Sequence, residues 1–168
     1  MKFTHALAAA AALVALSAAP AHATTWGVHD LNESSGAVAI YGPGVSFSND
    51  YSFSLVSSGS LLATTSEFNF FGLDINGGTV TLFKDLTGSP DVAVGAYTFD
   101  GSSPSLHTFS ALGTGDYYYR VTGTTGAGMG GGYTLNSTLA PVPEPESLAL
   151  MLAGLGALGV VGRRRRQA

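Results

Sequence analysis

The side chains able to act chemically are few in this chain and poorly grouped. It has no cysteine, which excludes a thiol nucleophile and thiolate-bound zinc. Of its four histidines, His5 and His22 fall in an N-terminal leader described below, leaving His29 and His107, 78 residues apart. No His-x-x-x-His or Glu-x-x-His spacing exists to seat a metal ion, so both read as surface or strand histidines. A Gly-x-Ser-x-Gly elbow, which presents a serine nucleophile on a strand-to-helix turn, is also missing. Asp74-Ile75-Asn76-Gly77 opens like a calcium loop, with alternating hard oxygen ligands. The place for its distal bidentate glutamate falls on Asp85, across an expected strand, so a tight Asn-Gly turn is the better reading. Gly126-Ala127-Gly128-Met129-Gly130-Gly131 satisfies Gly-x-Gly-x-x-Gly, yet a dinucleotide loop must open a helix. Gly132-Tyr133-Thr134-Leu135 follows instead, which predicts a flexible hairpin loop. Trp26 and Tyr118 are candidates for stacking on a sugar ring, with packing inside the fold as the competing reading. No metal, cofactor or catalytic residue is expected. A glycosidase-like pair among the acids has no motif to place it.

The more specific chemistry is done to the chain, at its two ends. Met1-Lys2 is a short basic start, Ala6 to Leu16 is an apolar core, and Pro20-Ala21-His22-Ala23 supplies an A-x-A cleavage pattern. These predict a signal helix removed by signal peptidase between Ala23 and Thr24. At the other end come Val142-Pro143-Glu144-Pro145, an apolar run from Leu148 to Val161, and the cluster Arg163, Arg164, Arg165 and Arg166. Each proline removes a backbone donor and restricts its predecessor, so the triplet reads as an extended, accessible peptide. The apolar run, predicted as a single transmembrane helix over 147–162, is about 21–24 Å long at 1.5 Å per residue. That is short for a hydrocarbon core of about 30 Å, so it needs flanking residues or local thinning. The arginines act as a cytoplasmic stop; an ordinary C-terminal anchor is the plainer alternative. The precursor is then held in the inner membrane at both ends.

The intervening 24–141 segment has two cationic side chains, Lys84 and Arg120, against nine carboxylates, a formal charge of −7. The whole-chain value of −4 conceals this because four of seven basic residues sit in the tail. Such a surface is soluble and self-repelling and excludes nucleic acid as a partner.

This middle segment is also poor in the straight-chain residues that favour helices and rich in β-branched and aromatic ones. Alternation places Tyr51, Phe53 and Leu55 on one face of 50–56, and Val80 and Leu82 on one face of 79–82. In 116–122, Tyr117, Tyr119 and Val121 share one face, with Tyr118, Arg120 and Thr122 on the other. Tyr133 to Asn136 alternates likewise. Further strands are expected at 37–41, 61–65, 67–71, 92–99 and 106–109. Turn signals separate them at 42–44, 57–59, 76–78, 87–90, 100–101 and 113–115. The fold class is therefore all-β: an antiparallel sandwich or jelly roll over 24–141, between a signal peptide at 1–23 and a sorting tail at 142–168.

The order of motif, apolar helix and basic cluster in that tail resembles the PEP-CTERM sorting signal of Gram-negative bacteria. The resemblance implies recognition by an exosortase, with cleavage near Pro143, Glu144 and Pro145. It also implies a mature protein at the cell surface or outside the cell, associated with exopolysaccharide. Phe47-Ser48-Asn49-Asp50-Tyr51-Ser52-Phe53 is similar to the signature of the FxDxF group of such proteins, with one residue more between Phe47 and Asp50. Leu112 to Gly123 followed by Gly132-Tyr133-Thr134-Leu135 resembles the end of a bacterial pre-peptidase C-terminal domain, a small β-sandwich. None of these brings a catalytic residue. The function they imply is an exported, non-enzymatic surface or matrix protein; the alternative is a carbohydrate-binding or adhesive module, with or without calcium.

Overall fold

A computed structural model describes residues 21–101, 103–141 and 151–155. Ten strands run in order: β1 (Ala21–Val28), β2 (Asn32–Ser34), β3 (Val38–Tyr41), β4 (Ser46–Leu55), β5 (Gly59–Glu67), β6 (Ile75–Lys84), β7 (Val92–Phe99), β8 (Ser105–Leu112), β9 (Gly115–Thr125) and β10 (Gly130–Pro141). One sheet has the order β1-β4-β9-β6-β7 and the other β2-β10-β5-β8, with β3 also paired to β10. All pairings are antiparallel except β1 with β4, which is parallel.

Period-two patterning decides which faces meet. In β4, Phe47, Asn49, Tyr51, Phe53 and Leu55 are buried, while the serines and Asp50 between them face outward. Val80 and Leu82 from β6, Tyr119 and Val121 from β9, and Leu61, Tyr133 and Leu135 from the opposite sheet complete the core at essentially zero exposure. Burying a side chain of this size contributes roughly 1.5–3 kcal/mol, so this interior dominates the fold's stability.

Four expectations need correction. Asn76-Gly77-Gly78 makes no hairpin turn; it lies inside β6, where the register against β9 shifts between Asn76 and Thr79. Ile75 and Val80 are both fully buried, so the chain must stay in the sheet and absorbs the extra residues as a bulge. Gly77 supplies φ +63, and Gly78 lies under Phe99, where a Cβ would come within 2.5 Å of the ring. The strand expected at 67–71 ends at Glu67, because Phe71 (φ 53) and Gly72 (φ 77) turn the chain out of the sheet. The glycine loop after β9 is an arch from one sheet to the other rather than a hairpin. Backbone bonds tie it to the neighbouring segments: Gly126 N–H to Asp74 O (2.9 Å), Met129 N–H to Gly72 O (3.0 Å) and Gly42 N–H to Met129 O (3.0 Å). Fourth, His29 is buried just after the end of β1, neither on the surface nor in a strand.

The leader upstream of Ala21, the Pro143-Glu144-Pro145 motif and Arg163 to Arg166 lie outside the described residues. So does the expected transmembrane helix apart from Met151 to Leu155, which is helical. Among the described residues no helix is long and apolar enough to cross a membrane.

Candidate functional site

Folding brings together one pair that looks like hydrolytic machinery. His29 follows β1 and Ser137 lies on β10, and their Nε2 and Oγ atoms are 2.9 Å apart. His29 Nδ1 is 2.6 Å from the carbonyl oxygen of Asp30. If Nδ1 carries the proton, it donates to that carbonyl and Nε2 is left to accept from the serine, a nucleophile–base geometry. Access refutes a catalytic reading. Ser137 has no exposed surface, and the Tyr119 hydroxyl takes up its remaining side at 3.0 Å. No substrate carbonyl can reach it. The trio is a polar tie across the sandwich core. Burial pushes the Tyr119 phenol well above its usual range, which keeps it neutral as a hydrogen-bond partner.

Two other buried polar groups have the same character. Asn49 Nδ2 donates to Tyr133 Oη (2.8 Å), and Tyr51 Oη lies 2.8 Å from the same oxygen. Glu67, on the last residue of β5, accepts from the backbone N–H groups of Ile75 (2.7 Å) and Gly101 (2.8 Å). That carboxylate clamps the start of β6 to the loop after β7. Among the described residues no group of three or more His, Asp or Glu side chains could hold a metal ion.

The two aromatic residues offered for glycan contact both make packing contacts. Trp26 packs inward on Tyr51 (centroids 5.3 Å apart), Phe53 (6.0 Å) and Tyr119 (6.1 Å). Its buried Nε1 has no hydrogen-bond partner. Tyr118 is on the outer face of its sheet but only 9% exposed, because Phe83 stacks on it at 5.0 Å and Arg120 lies over it at 5.2 Å. Its hydroxyl donates to Asp91 Oδ2 at 2.9 Å. Arg120 in turn makes a two-pronged pair with Asp50, directly opposite in the ladder, at 2.8 and 2.7 Å. Within the Phe47–Phe53 signature the aromatic residues therefore point into the core and Asp50 points out to Arg120. Tyr118 is covered on its outer face, and Trp26 is partly buried against the core.

The exposed aromatics are elsewhere, and sequence reading missed them. Tyr41 (83% exposed) ends β3, Phe70 and Phe71 (85%) follow β5, and Met129 tops the glycine arch. The bonds from Met129 N–H to Gly72 O and from Gly42 N–H to Met129 O put these residues at one pole. A positive φ at Phe71 was the missing signal; it is a three-dimensional property with no local motif. A second feature is a groove of about 560 Å³ on the open side of the sandwich. It runs between the start of β1 (Ala21, His22) and β3 (Val38 to Tyr41), over Asn49 and Tyr51.

At the C-terminal end, β10 runs to Pro141 and the tail follows. Residues 141–166 match the PEP-CTERM protein-sorting motif. This tail carries a PEP-CTERM sorting signal. No curated protein matches the chain. Among solved structures, the pre-peptidase C-terminal domain of a collagenase from Bacillus anthracis is similar at 18% identity, with 71% of this chain and 97% of that one covered and a TM-score of 0.46. A mitogen from Yersinia pseudotuberculosis is similar at 13% identity, covering 68% and 90%, TM-score 0.41. A carbohydrate-binding module in complex with calcium and xylotriose is similar at 21% identity, covering 67% and 90%, TM-score 0.35. The PEP-CTERM motif begins at the last residue of β10, directly after the sandwich.

Proposed function

We propose that this is an exported, non-enzymatic surface or matrix protein of a Gram-negative bacterium. Signal peptidase trims it to Thr24, and an exosortase processes it near Pro143, Glu144 and Pro145. The mature 24–141 sandwich then associates with exopolysaccharide at the cell surface or in a biofilm. The observation that carries this reading is the sorting motif over 141–166 continuing directly from β10. The Phe47–Phe53 strand resembles the FxDxF signature, with one residue more on each side of Asp50. The inaccessibility of the His29–Ser137 pair supports a non-enzymatic role. Intact mass of the protein recovered from envelope and medium tests the reading. The expected chain begins at Thr24 and lacks Arg163 to Arg166; a mature mass that retains those arginines refutes exosortase processing and leaves a plain membrane anchor.

A binding role is the second reading, favoured by one observation: the exposed pole of Tyr41, Phe70, Phe71 and Met129. Adhesion to polysaccharide would then depend on Tyr41 and Phe71 rather than on Trp26 and Tyr118. A polysaccharide pull-down with Tyr41→Ala and Phe71→Ala tests it: binding lost in these variants supports a dedicated binding pole, and binding they leave unchanged refutes it.

A further inference from the structure

Ala21, His22 and Ala23 are the first three residues of β1, paired in parallel with Ser48, Asn49 and Asp50 of β4. The same three residues end the predicted leader. Cleavage before Thr24 therefore shortens an edge strand as well as removing a targeting segment. What is lost is specific. The backbone N–H of His22 donates to Asn49 Oδ1 at 3.2 Å, and Ala21 and His22 form one wall of the groove whose other wall is Val38 to Tyr41. Asn49 is 3% exposed and its Nδ2 remains committed to Tyr133. Removal of His22 leaves its carbonyl oxygen without the donor it was built around, beside a stretch of β4 edge with no neighbour. The strand being removed is exposed at Ala21, His22 and Ala23, so water meets the freed Asn49 oxygen until a peptide donor displaces it.

We propose that the processed chain carries a strand-accepting site on β4 at Ser48 to Asp50, and that its occupant is an extended peptide running parallel to β4. The proposal rests on the Ala23–Thr24 cleavage expected from the sequence. The vacated segment defines the partner's chemistry. Donors and acceptors at strand spacing ask for peptide backbone. One N–H must meet Asn49 Oδ1. Side chains flanking that position are small in the native segment, as Ala21 and Ala23 are, and Val38, Ala39 and Ile40 line the groove opposite Ala21 and His22. A sugar offers no such repeat of backbone groups.

The probe is the synthetic hexapeptide Ala-Ala-Pro-Ala-His-Ala, residues 18–23, added to processed protein recovered from the producing cells and followed by amide NMR. The expected result is saturable shifts at Ser48, Asn49 and Asp50 and across Val38 to Ile40. A peptide N-methylated at its histidine should bind at least about tenfold more weakly, since it lacks the N–H that Asn49 needs. Absence of shifts at millimolar peptide, or equal binding of the N-methylated form, overturns the proposal. N-terminal sequencing of the same sample separates the two ways of failing. A chain that starts at Thr24 and ignores the peptide sinks the site alone. One that retains Ala21 to Ala23 sinks the cleavage reading and the site with it.

Discussion

Replacing Glu67 by glutamine tests the claim that a single buried carboxylate holds three segments together. Both carboxylate oxygens accept backbone N–H groups, from Ile75 at 2.7 Å and Gly101 at 2.8 Å. The residue is 4% exposed, and among the described residues the only ion pair is Arg120 with Asp50. Two effects oppose each other. Burying a carboxylate without a cation costs several kcal/mol of desolvation, which argues that its loss should help. Against that, hydrogen bonds to a charged group are worth roughly 1.5–3 kcal/mol each. Glutamine keeps one acceptor but must turn an NH₂ toward a backbone donor, so one amide loses its partner and another donor is stranded. The second effect should win, because the two amides stay buried whatever occupies position 67, at about 1–3 kcal/mol per stranded group. The expected cost is about 2–4 kcal/mol. With roughly 2.1 cal/mol/K of unfolding entropy per residue, a domain of this size loses about 4 °C of Tm per kcal/mol. Glu67→Gln should therefore lower Tm by about 8–16 °C. Trp26, the chain's one tryptophan and packed against the core, reports the transition by fluorescence. Exchange at the Gly101 amide should quicken first. A Tm within about 2 °C of wild type, or a Glu67→Leu variant more stable than wild type, would refute the reasoning.

Alkaline stability follows from the core tyrosines. Burial pushes Tyr97 up to about 12 from its ordinary 10.0 and also raises Tyr51, Tyr119 and Tyr133. The unfolded chain then loses phenolic protons before the folded one does, so the stabilisation is intact below pH 10 and is lost as pH rises toward 12. Each such tyrosine contributes a slope of up to about 1.4 kcal/mol per pH unit, and denaturant midpoints between pH 9 and 12 should fall with increasing steepness. Asp50→Asn removes a pair whose side chains are 40% and 34% exposed, so it should cost no more than about 1 kcal/mol in chemical denaturation. Ser137→Ala strands His29 Nε2 and the Tyr119 hydroxyl; a loss of about 1–3 kcal/mol is expected, with export and tail processing unchanged on immunoblot.

How much of this was legible in the sequence depended on whether the cause was local. Strands with strict alternation, such as 50–56 and 116–122, reveal their inward faces because side-chain direction reverses at every residue. The sorting motif over 141–166 is equally legible, since the order of its parts defines it. Asn76-Gly77 misled because a turn signal is local, while the burial of Ile75 and Val80 that overrides it is not. β1 and β2 escaped for other reasons: the first begins inside the assigned leader, and the second is three residues long. His29 and Ser137 are 108 residues apart in sequence, and nothing in either neighbourhood announces the other. Tyr118 and Trp26 were found as aromatic residues, yet what covers them comes from β4, β6 and β9, which no window contains.

The position of β10 has a mechanical consequence. It lies inside its sheet, paired with β5 over Tyr133 to Pro141 on one side and with β2 and β3 on the other. Any pull on the C-terminal tail enters the sandwich at Pro141 and runs along that strand. In this direction the nine β5 pairs are loaded together in shear and must yield as a group. Force applied across the strand would instead open them one at a time. A tether attached here drags the domain by its most resistant axis.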